Sequence, residues 1–386
     1  MTVRSRTTAL LAAALLLTAC GAQEPTAAAP ASAAPSRTAA DPLVATYDGG
    51  LYVLDGQTLE LAEDIPLAGY NRVNPAGDDR HVLVSTSTGF RVLDAAAATL
   101  RQDEFKAAKP GHVVRHGGTT VLFSDGTGEV TLFDPRELGS GLPKGERYQA
   151  AAPHHGVAIE LANGELVVTL GTEEKRTGIL VLGEDRKEIA RSEDCPGVHG
   201  EATAQDEAVV IGCENGVLLY RNGKITKIES PDAYGRIGNQ SGSELSPIVL
   251  GDYKKDPDAE LERPTHVSLI DTATGELDLV DLGTSYTFRS LARGPGGEAL
   301  VLGTDGAVHV IDPAAAKVVR TIKVLEEWKE PLEWQRPRPN IFTRDQVIYV
   351  SDPAARKVHA IDFATGRITR SAALPQPPNE LTGTLG

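Results

Sequence analysis

Three short segments of the sequence each place a histidine shortly after a proline. They are "KPGHVVRHGG" (residues 109–118), "AAPHHGVAIE" (residues 151–160) and "CPGVHGEATA" (residues 195–204). Aligned on this pattern, His112, His155 and His199 occupy equivalent positions, in a chain that contains nine histidines. Three imidazoles brought together from three separate elements form a ligand set for a metal ion, and zinc suits such ligands best.

Two acidic side chains near these histidines are candidates for the remaining ligand. Asp125 lies in the turn "SDGTG" of the hairpin that follows His112, and we expect it to be the fourth ligand. Glu201 comes two residues after His199 and shares the same face of its strand. It either binds the metal or holds an imidazole in place through a hydrogen bond.

Two more histidines lie next to the three equivalent ones and are additional candidates. His154 precedes His155 and points to the opposite face of the strand, and His116 lies about a dozen ångströms farther along the strand from His112. The other four histidines fall inside strands at positions that do not recur, and we expect them to be structural: His81, His266, His309 and His359.

Eight hairpins supply the elements that must position these side chains. Each hairpin has an apolar, β-rich run, a turn with Gly, Asp or Pro, and a second alternating run. The hairpins begin at Leu43, His81, Val121, Glu165, Ala208, Pro247, Ala299 and Val347. These starts lie roughly 40 to 50 residues apart, close to the length of a four-stranded propeller blade. The pattern predicts an all-β fold, a β-propeller of about eight four-stranded blades, as a single domain over residues 42–386.

The two ends of this domain predict how the ring closes. The first hairpin begins without an innermost strand of its own, and the chain ends in "PNELTGTLG" (residues 378–386) after the last outer strand. We expect this C-terminal segment to supply the missing strand and leave no open sheet edge. The alternative is a frayed tail. In a propeller the innermost strands start at one face around the central channel, so the three histidines would meet at one mouth of it.

The cysteines have two interpretations. Cys195 and Cys213 are the cysteines that remain after Cys20, and in an oxidising compartment such a pair usually forms a disulfide. Thiolate ligands for the metal are the alternative. Cys195 lies just before the strand that carries His199, and Cys213 ends the neighbouring antiparallel strand. Both therefore reach the same end of one blade within bridging distance, which favours the disulfide.

The N-terminal residues predict export from the cytoplasm. Arg4 and Arg6 precede an apolar run that ends at Cys20, which is typical of a signal peptide over residues 1–19. The segment "LTAC" resembles a bacterial lipobox and implies a lipid on Cys20, with residues 20–41 as a lipidated, disordered tether. Ordinary secretion with an incidental cysteine is the alternative. We expect an extracytoplasmic protein anchored to the cell membrane by lipid alone.

The charge of the chain restricts its partners. The formal net charge is −15, and Lys and Arg do not cluster into a stripe along any segment. Because phosphate contacts need clustered basic side chains, we expect no nucleic-acid partner.

The motifs together resemble one known family. "NPAGDDRHVLVST", "GHVVRHGGTTVLFSDGTGEVTLFD", "PHHGVAIE" and "CPGVHGEATA…VVIGCENGVLLY" are similar to segments of the AztD-type zinc metallochaperones, most densely over residues 111–220. That family consists of secreted propeller proteins that hand zinc to the solute-binding protein of a zinc ABC transporter. The resemblance implies a zinc site among the equivalent residues: His112, His155, His199 and Asp125. We expect a monomer without enzymatic activity. Some members also have a histidine-rich N-terminal segment, whereas residues 21–41 here contain no histidine.

Two other functions remain open. A metal-free interaction scaffold would use the polar insertion "VLEEWKEPLEWQRPRPN" (residues 324–340), because Trp328 and Trp334 are residue types that anchor interfaces. A zinc hydrolase would need three ligands, an open position and a general base, a role for which Glu201 is the candidate.

Overall fold

Each pair of apolar runs forms the two middle strands of a four-stranded antiparallel sheet. This computed structural model describes residues 38–385, and eight such sheets account for the repeated hairpins. The predicted signal peptide, Cys20 and most of the tether lie outside the described residues. None of the helices within residues 38–385 has the length and apolar composition that a membrane crossing requires.

The strands are numbered along the chain, and consecutive sets form blades 1 to 8. Blade 1 contains β1 (Leu43–Tyr47), β2 (Gly50–Leu54) and β3 (Leu61–Pro66); blade 2 contains β4 (Arg72–Pro75), β5 (His81–Ser85), β6 (Gly89–Asp94) and β7 (Thr99–Lys106); blade 3 contains β8 (Pro110–His116), β9 (Thr119–Ser124), β10 (Glu129–Phe133) and β11 (Glu146–Gln149); blade 4 contains β12 (Ala158–Glu160), β13 (Leu166–Gly171), β14 (Arg176–Leu182) and β15 (Glu188–Ser192).

The second half of the chain repeats the arrangement. Blade 5 contains β16 (His199–Ala204), β17 (Ala208–Cys213), β18 (Asn215–Arg221) and β19 (Lys224–Glu229), with β20 (Gly235–Arg236) beside β18; blade 6 contains β21 (Gln240–Ser241), β22 (Ile248–Asp252), β23 (His266–Asp271) and β24 (Leu277–Asp281); blade 7 contains β25 (Tyr286–Arg293), β26 (Ala299–Gly303), β27 (Ala307–Asp312) and β28 (Lys317–Lys323); blade 8 contains β29 (Asn340–Arg344), β30 (Val347–Asp352), β31 (Lys357–Asp362) and β32 (Arg367–Ala373); β33 (Leu381–Gly383) follows. Two short 3-10 helices lie in connections, Pro135–Ser140 and Gln205–Glu207.

The C-terminal strand closes the ring as predicted. β33 pairs antiparallel with β1, with Leu43 opposite Gly383, and so becomes the innermost strand of blade 1. It also contacts β4 and β29, the first strands of the two neighbouring blades. Blade 1 is therefore built from both ends of the domain, and the eight-bladed propeller is confirmed.

The hydrophobic core lies between the blades. In β17 every residue is buried, and alternate side chains point to opposite faces of the sheet. Val209 and Ile211 pack with residues of blades 3 and 4, whereas Val210 packs with residues of blade 6. Similar clusters join each blade to the next around the ring, including blade 8 to blade 1. This stacking explains why the middle strands are continuous apolar runs, since both of their faces are covered.

Candidate metal centre

The three equivalent histidines lie where the backbone is irregular, at or just before the start of three innermost strands. In β8 the pairing register shifts between Pro110 and Val113, and His112 lies in that bulge. His199 opens β16, where the register shifts again before Glu201. Gly200 sits at this shift with a φ of 73°, a left-handed conformation that glycine adopts without strain. A bulge re-aims a side chain that a regular strand would place elsewhere.

The three equivalent imidazoles converge. His155 lies in the loop just before β12, and its ring centroid is 5.0 Å from that of His112 and 5.0 Å from that of His199. The His112 and His199 centroids are 5.2 Å apart, so the rings form a nearly equilateral triangle. One nitrogen of each ring lies within 4.8 Å of the others, which makes these residues a group able to hold a metal ion.

Hydrogen bonds fix which nitrogens face the centre. The Nδ1 atom of His155 lies 2.5 Å from an oxygen of Asp125, and the Nδ1 atom of His199 lies 2.5 Å from the carbonyl oxygen of Gly238. Both oxygens accept, so both Nδ1 atoms carry the proton and donate it. The Nε2 atoms, left with their lone pairs, are 3.0 Å apart. Two lone pairs at that distance repel each other unless a cation or a proton lies between them.

Asp125, which we expect to be the fourth ligand, contacts one of the three histidines. Its carboxylate lies on the Nδ1 atom of His155, whereas the Nε2 atom of that ring faces His199. An acidic partner there orients the imidazole and increases its basicity toward a metal. Gly111 approaches this carboxylate so closely that a Cβ atom would lie 2.0 Å from its oxygen, which explains a glycine before His112.

Glu201 lies beside the triangle, farther into the channel. Its carboxylate oxygen is 3.9 Å from the Nδ1 atom of His112, and about a fifth of its side chain is exposed. Burial raises the pKa of Glu201 to about 8, although the positive charge of Arg115 acts in the opposite direction. The side chain is therefore placed to hold His112 or to approach a metal, the two roles that its position in the sequence suggested.

The electrostatic environment favours neutral imidazoles. Burial lowers the pKa of His112 well below its usual value, and the neighbouring rings of His199 and His155 lower it further. Burial likewise lowers the pKa of His199 to about 3, although its hydrogen bond to Gly238 opposes the shift. Neutral imidazole is the form that binds a metal, so these two rings stay competent as ligands below the pH at which free histidine becomes charged.

The two additional histidine candidates do not join the triangle. His154 is buried against Phe123, and both of its ring nitrogens make hydrogen bonds of 2.9 Å, to the Ala152 carbonyl and the Thr169 hydroxyl. His116 pairs with Glu207 at 2.8 Å, near the opposite end of its strand. Neither residue belongs to the group of side chains that could hold a metal ion among the described residues.

Residues of the neighbouring blade hold His199 in place, and no sequence motif marks them. Asp252 is buried at the end of β22 and accepts hydrogen bonds from the backbone N–H groups of Gly238, at 2.6 Å, and Asn239, at 3.0 Å. This fixes the turn whose carbonyl accepts from His199. An isolated aspartate at the end of an apolar strand carries no motif, so the sequence offered no signal for this role.

The predicted disulfide is present behind the same histidine. Cys195 and Cys213 are bonded, with Cα atoms 4.9 Å apart. Both cysteines are fully buried, and Cys213 ends the strand that pairs with β16. The bond ties the segment before His199 to β17, and it removes both thiols from the set of possible metal ligands.

The tryptophan insertion lies on the same face as the histidines, in the connection to the first strand of blade 8. Trp328 donates its indole N–H to the carbonyl of Gly303 at 3.1 Å, so it packs on blade 7. Trp334 is 53% exposed and meets Tyr70 edge to face. Of the two predicted anchors, Trp334 has the more exposed side chain.

The chain is similar to the zinc chaperone AztD both in sequence and in structure. No protein-family model matches the chain. The zinc chaperone AztD of Citrobacter koseri is 24% identical over 304 residues, which cover 76% of this chain and 70% of AztD. The apo structure of that protein has a TM-score of 0.76 at 21% identity, over 89% of this chain and 96% of AztD.

A second, more distant structure shares the architecture. The dihydro-heme d1 dehydrogenase NirN, in complex with DHE, has a TM-score of 0.59 at 13% identity, over 91% of this chain and 77% of NirN. The chain therefore has an AztD-type β-propeller fold, as the sequence resemblance implied.

Proposed function

We propose that this protein is a zinc metallochaperone that binds one zinc ion through His112, His155 and His199. The observation that carries the proposal is the pair of Nε2 atoms 3.0 Å apart, each on a ring whose Nδ1 atom is anchored to an oxygen. In a tetrahedral site with Zn–N bonds of about 2.05 Å, two ligand nitrogens lie about 3.3 Å apart. The separation between His155 and His199 is thus close to what zinc requires, and the zinc chaperone AztD is a relative of the chain.

The coordination chemistry suits a carrier. Three protein ligands leave a fourth position open, where water or an incoming ligand binds, whereas a closed four-ligand site holds zinc permanently. The side chain of His155 is 42% exposed, so an acceptor can approach the metal from the channel mouth. We propose the solute-binding protein of a zinc ABC transporter as that acceptor.

The proposed location follows from the N-terminal residues. A signal peptide over residues 1–19 and a lipid on Cys20 would place a single, monomeric propeller domain, residues 42–386, outside the cytoplasm on a short tether. Transfer would then occur between proteins held at the same membrane surface, which raises their effective concentration.

Metal binding is tested first. Equilibrium dialysis of the mature protein with zinc is expected to give one bound ion, and His155→Ala or His199→Ala is expected to remove it without changing the circular dichroism spectrum. His266→Ala is the matched control, because His266 lies in β23, away from the triangle, and its ring contacts the Thr265 hydroxyl. Stoichiometric zinc in both histidine variants would refute the site.

Transfer is tested second. Zinc-loaded protein is mixed with the apo solute-binding protein in the presence of a competing chelator, and we expect zinc to reach the acceptor faster than the chelator. Equal rates would show release into solvent and would support storage instead of transfer. A hydrolysis screen with and without chelator tests the enzyme alternative.

A further inference from the structure

A polar cavity lies in the central channel, between the histidine triangle and the opposite face of the propeller. Its walls come from the innermost strands of blades 3 to 6, and its volume is about 300 Å³. Small-molecule sites start at this size, so a ligand here would be small. Glu201 lies at the inner end of this channel cavity, beside His112, and the exposed Glu244 lies at its outer end.

Arg115 lines the channel cavity without a partner. It belongs to β8, on the far side of His112 from the channel mouth, and its guanidinium forms no hydrogen bond or ion pair with any of the described residues. Its Nε atom is buried, whereas the side chain as a whole is partly exposed, so the terminal nitrogens are the atoms that a ligand can reach. An arginine in such surroundings is costly unless an anion pairs with it.

Glu201 supplies a carboxyl group on another wall of the same cavity. Its oxygen is 3.9 Å from the Nδ1 atom of His112, too far for a hydrogen bond, and Glu201 forms no ion pair with Arg115. Burial lowers the pKa of Arg115, and the charge of Glu201 opposes this shift, which fits two groups that face each other across a gap. A basic and an acidic side chain thus line one cavity and leave the space between them open.

These two side chains define the chemistry of a fitting ligand. An anion alone would pair with Arg115 and leave Glu201 without a partner, and a cation alone would do the reverse. Guanidinium nitrogens bind a carboxylate through paired, charge-assisted hydrogen bonds. A carboxyl oxygen of Glu201 accepts from an ammonium group whether or not the carboxyl carries a proton. The hydroxyl groups of Thr203 and Ser241, on the same walls, are available to further polar atoms of the ligand.

We propose that the channel cavity binds a free α-amino acid, with its carboxylate on Arg115 and its ammonium group on Glu201. An α-amino acid carries these two groups on a single carbon atom and is small enough for the cavity. Each of the two side chains thereby gains the partner that the chain itself does not supply. The site goes beyond the proposed function, because the ligand is held without a metal ion.

The first test measures the binding of glycine and of serine to the metal-free protein by isothermal titration calorimetry. We expect at least one of them to bind as one molecule per chain. Acetate and methylammonium each keep one of the two charged groups and are expected to bind about tenfold more weakly, because each forgoes one charge-assisted contact. If neither amino acid binds, or if acetate binds as tightly as the amino acid does, the proposal is wrong.

The second test removes the guanidinium group. Arg115→Met is expected to fold, since an apolar side chain in place of an unpaired buried charge is neutral or stabilising, and to weaken amino-acid binding about tenfold or more. Arg115→Lys keeps the charge but not the paired donors, so a smaller loss is expected. Arg191→Gln is the control that should bind like the wild type, because Arg191 lies on the outer strand β15, paired with Glu188. Wild-type affinity in Arg115→Met would overturn the site.

Zinc binding, measured in the same variants, keeps this inference separate from the proposed function. Arg115→Met is expected to retain its zinc ion, and His155→Ala is expected to retain amino-acid binding while it loses zinc. A wild-type protein that binds zinc but neither glycine nor serine would refute the amino-acid site alone. One that binds the amino acid but no zinc would refute the proposed function alone.

Discussion

The central channel has two sides that are both lined by polar side chains from several blades. They differ in whether the chain itself supplies the partners of these side chains. On the histidine side, blades 3, 4 and 5 each contribute one imidazole: His112, His155 and His199. On the closure side, three other blades contribute Arg72, Arg289 and Glu380. Both sides therefore gather polar side chains that are far apart in the sequence, and the difference lies in the partners that these side chains find.

The charges of the closure side are paired within the chain, although the Nε atom of Arg289 is buried without a hydrogen-bond partner among the described residues. One oxygen of Glu380 accepts from Arg72 and from Arg289, each at 2.9 Å, and the other accepts from the N–H of Val73 at 3.0 Å. Arg289 also donates to Asn379, and the backbone N–H of Glu380 donates to Thr46 at 2.9 Å. Arg289 and Glu380 are nearly inaccessible to solvent, with side chains 5% and 7% exposed. Opposite charges face one another here, and the cluster holds the fold.

On the histidine side, two hydrogen-bond acceptors face each other. Its anchored Nδ1 atoms leave two acceptor nitrogens 3.0 Å apart, and no described residue donates a hydrogen bond between them. Buried acceptors that face each other without a donor or cation between them cost free energy. The closure side thus pairs opposite charges within the chain, whereas the histidine side is organised for a cation from outside.

The largest expected effect is loss of the closing strand. Deletion of residues 377–386 removes β33 and Glu380, which leaves blade 1 with an open edge and Arg289 without its carboxylate. We expect the deletion to lower the unfolding temperature of the whole domain severely or to prevent folding, as measured by calorimetry. Deletion of residues 385–386 alone keeps β33 and serves as the control. An unchanged unfolding temperature would show that the ring does not depend on closure.

Single substitutions are expected to separate the two sides. Arg289→Ala leaves Glu380 buried beside a single exposed arginine, and breaking a buried ion pair costs about 3–5 kcal/mol of unfolding free energy. Zinc stoichiometry is expected to remain one. His199→Ala is the converse variant, with zinc lost and the denaturant midpoint of the apo protein nearly unchanged. Loss of zinc in Arg289→Ala, with the fold intact, would show that the closure side also takes part in metal binding and would contradict the separate roles of the two sides.

The closure side is also expected to respond to acid. Burial would raise the pKa of Glu380, but the charges of Arg72 and Arg289 outweigh it, and the pKa is lower than usual. A lowered carboxyl pKa contributes stability that is present above the unfolded value, about 4.3, and is lost as the pH falls through the folded value. We expect the apo protein to lose stability steeply below pH of about 4. In the Glu380→Gln variant this loss of stability at acid pH should be absent. If the unfolding free energy depends on pH identically in both proteins, protonation of Glu380 is not the cause.

The smallest predicted effect concerns the residue behind His155. Because Asp125 orients the imidazole, Asp125→Asn is expected to weaken zinc binding about 10- to 100-fold while one ion still binds. Competition with a chelator of known affinity measures the change. Complete loss of the ion would instead support the original expectation that Asp125 is itself a ligand.

Several features were predictable from local sequence. Apolar runs that recur at a regular spacing predicted the blades. The runs are continuous because a strand that is covered on both faces needs apolar residues in succession. The repeat also placed His112, His155 and His199 at one mouth, since equivalent positions of a symmetric fold occupy equivalent places in space. Cys195 and Cys213 were predicted to bond because adjacent antiparallel strands bring both to the same end of one blade, and they do.

Other features depend on contacts that no local pattern encodes. The partner of Arg72 lies 308 residues away in Glu380, and the oxygen that orients His199 belongs to Gly238, in the connection to the next blade. His154 is adjacent to His155 in the chain, yet its ring is held by Thr169 and Ala152 while its neighbour reaches the triangle. Strand periodicity assigns a side chain to a face of the sheet. Which nitrogen of an imidazole stays free is decided by the hydrogen-bond acceptor that the tertiary structure places behind the ring.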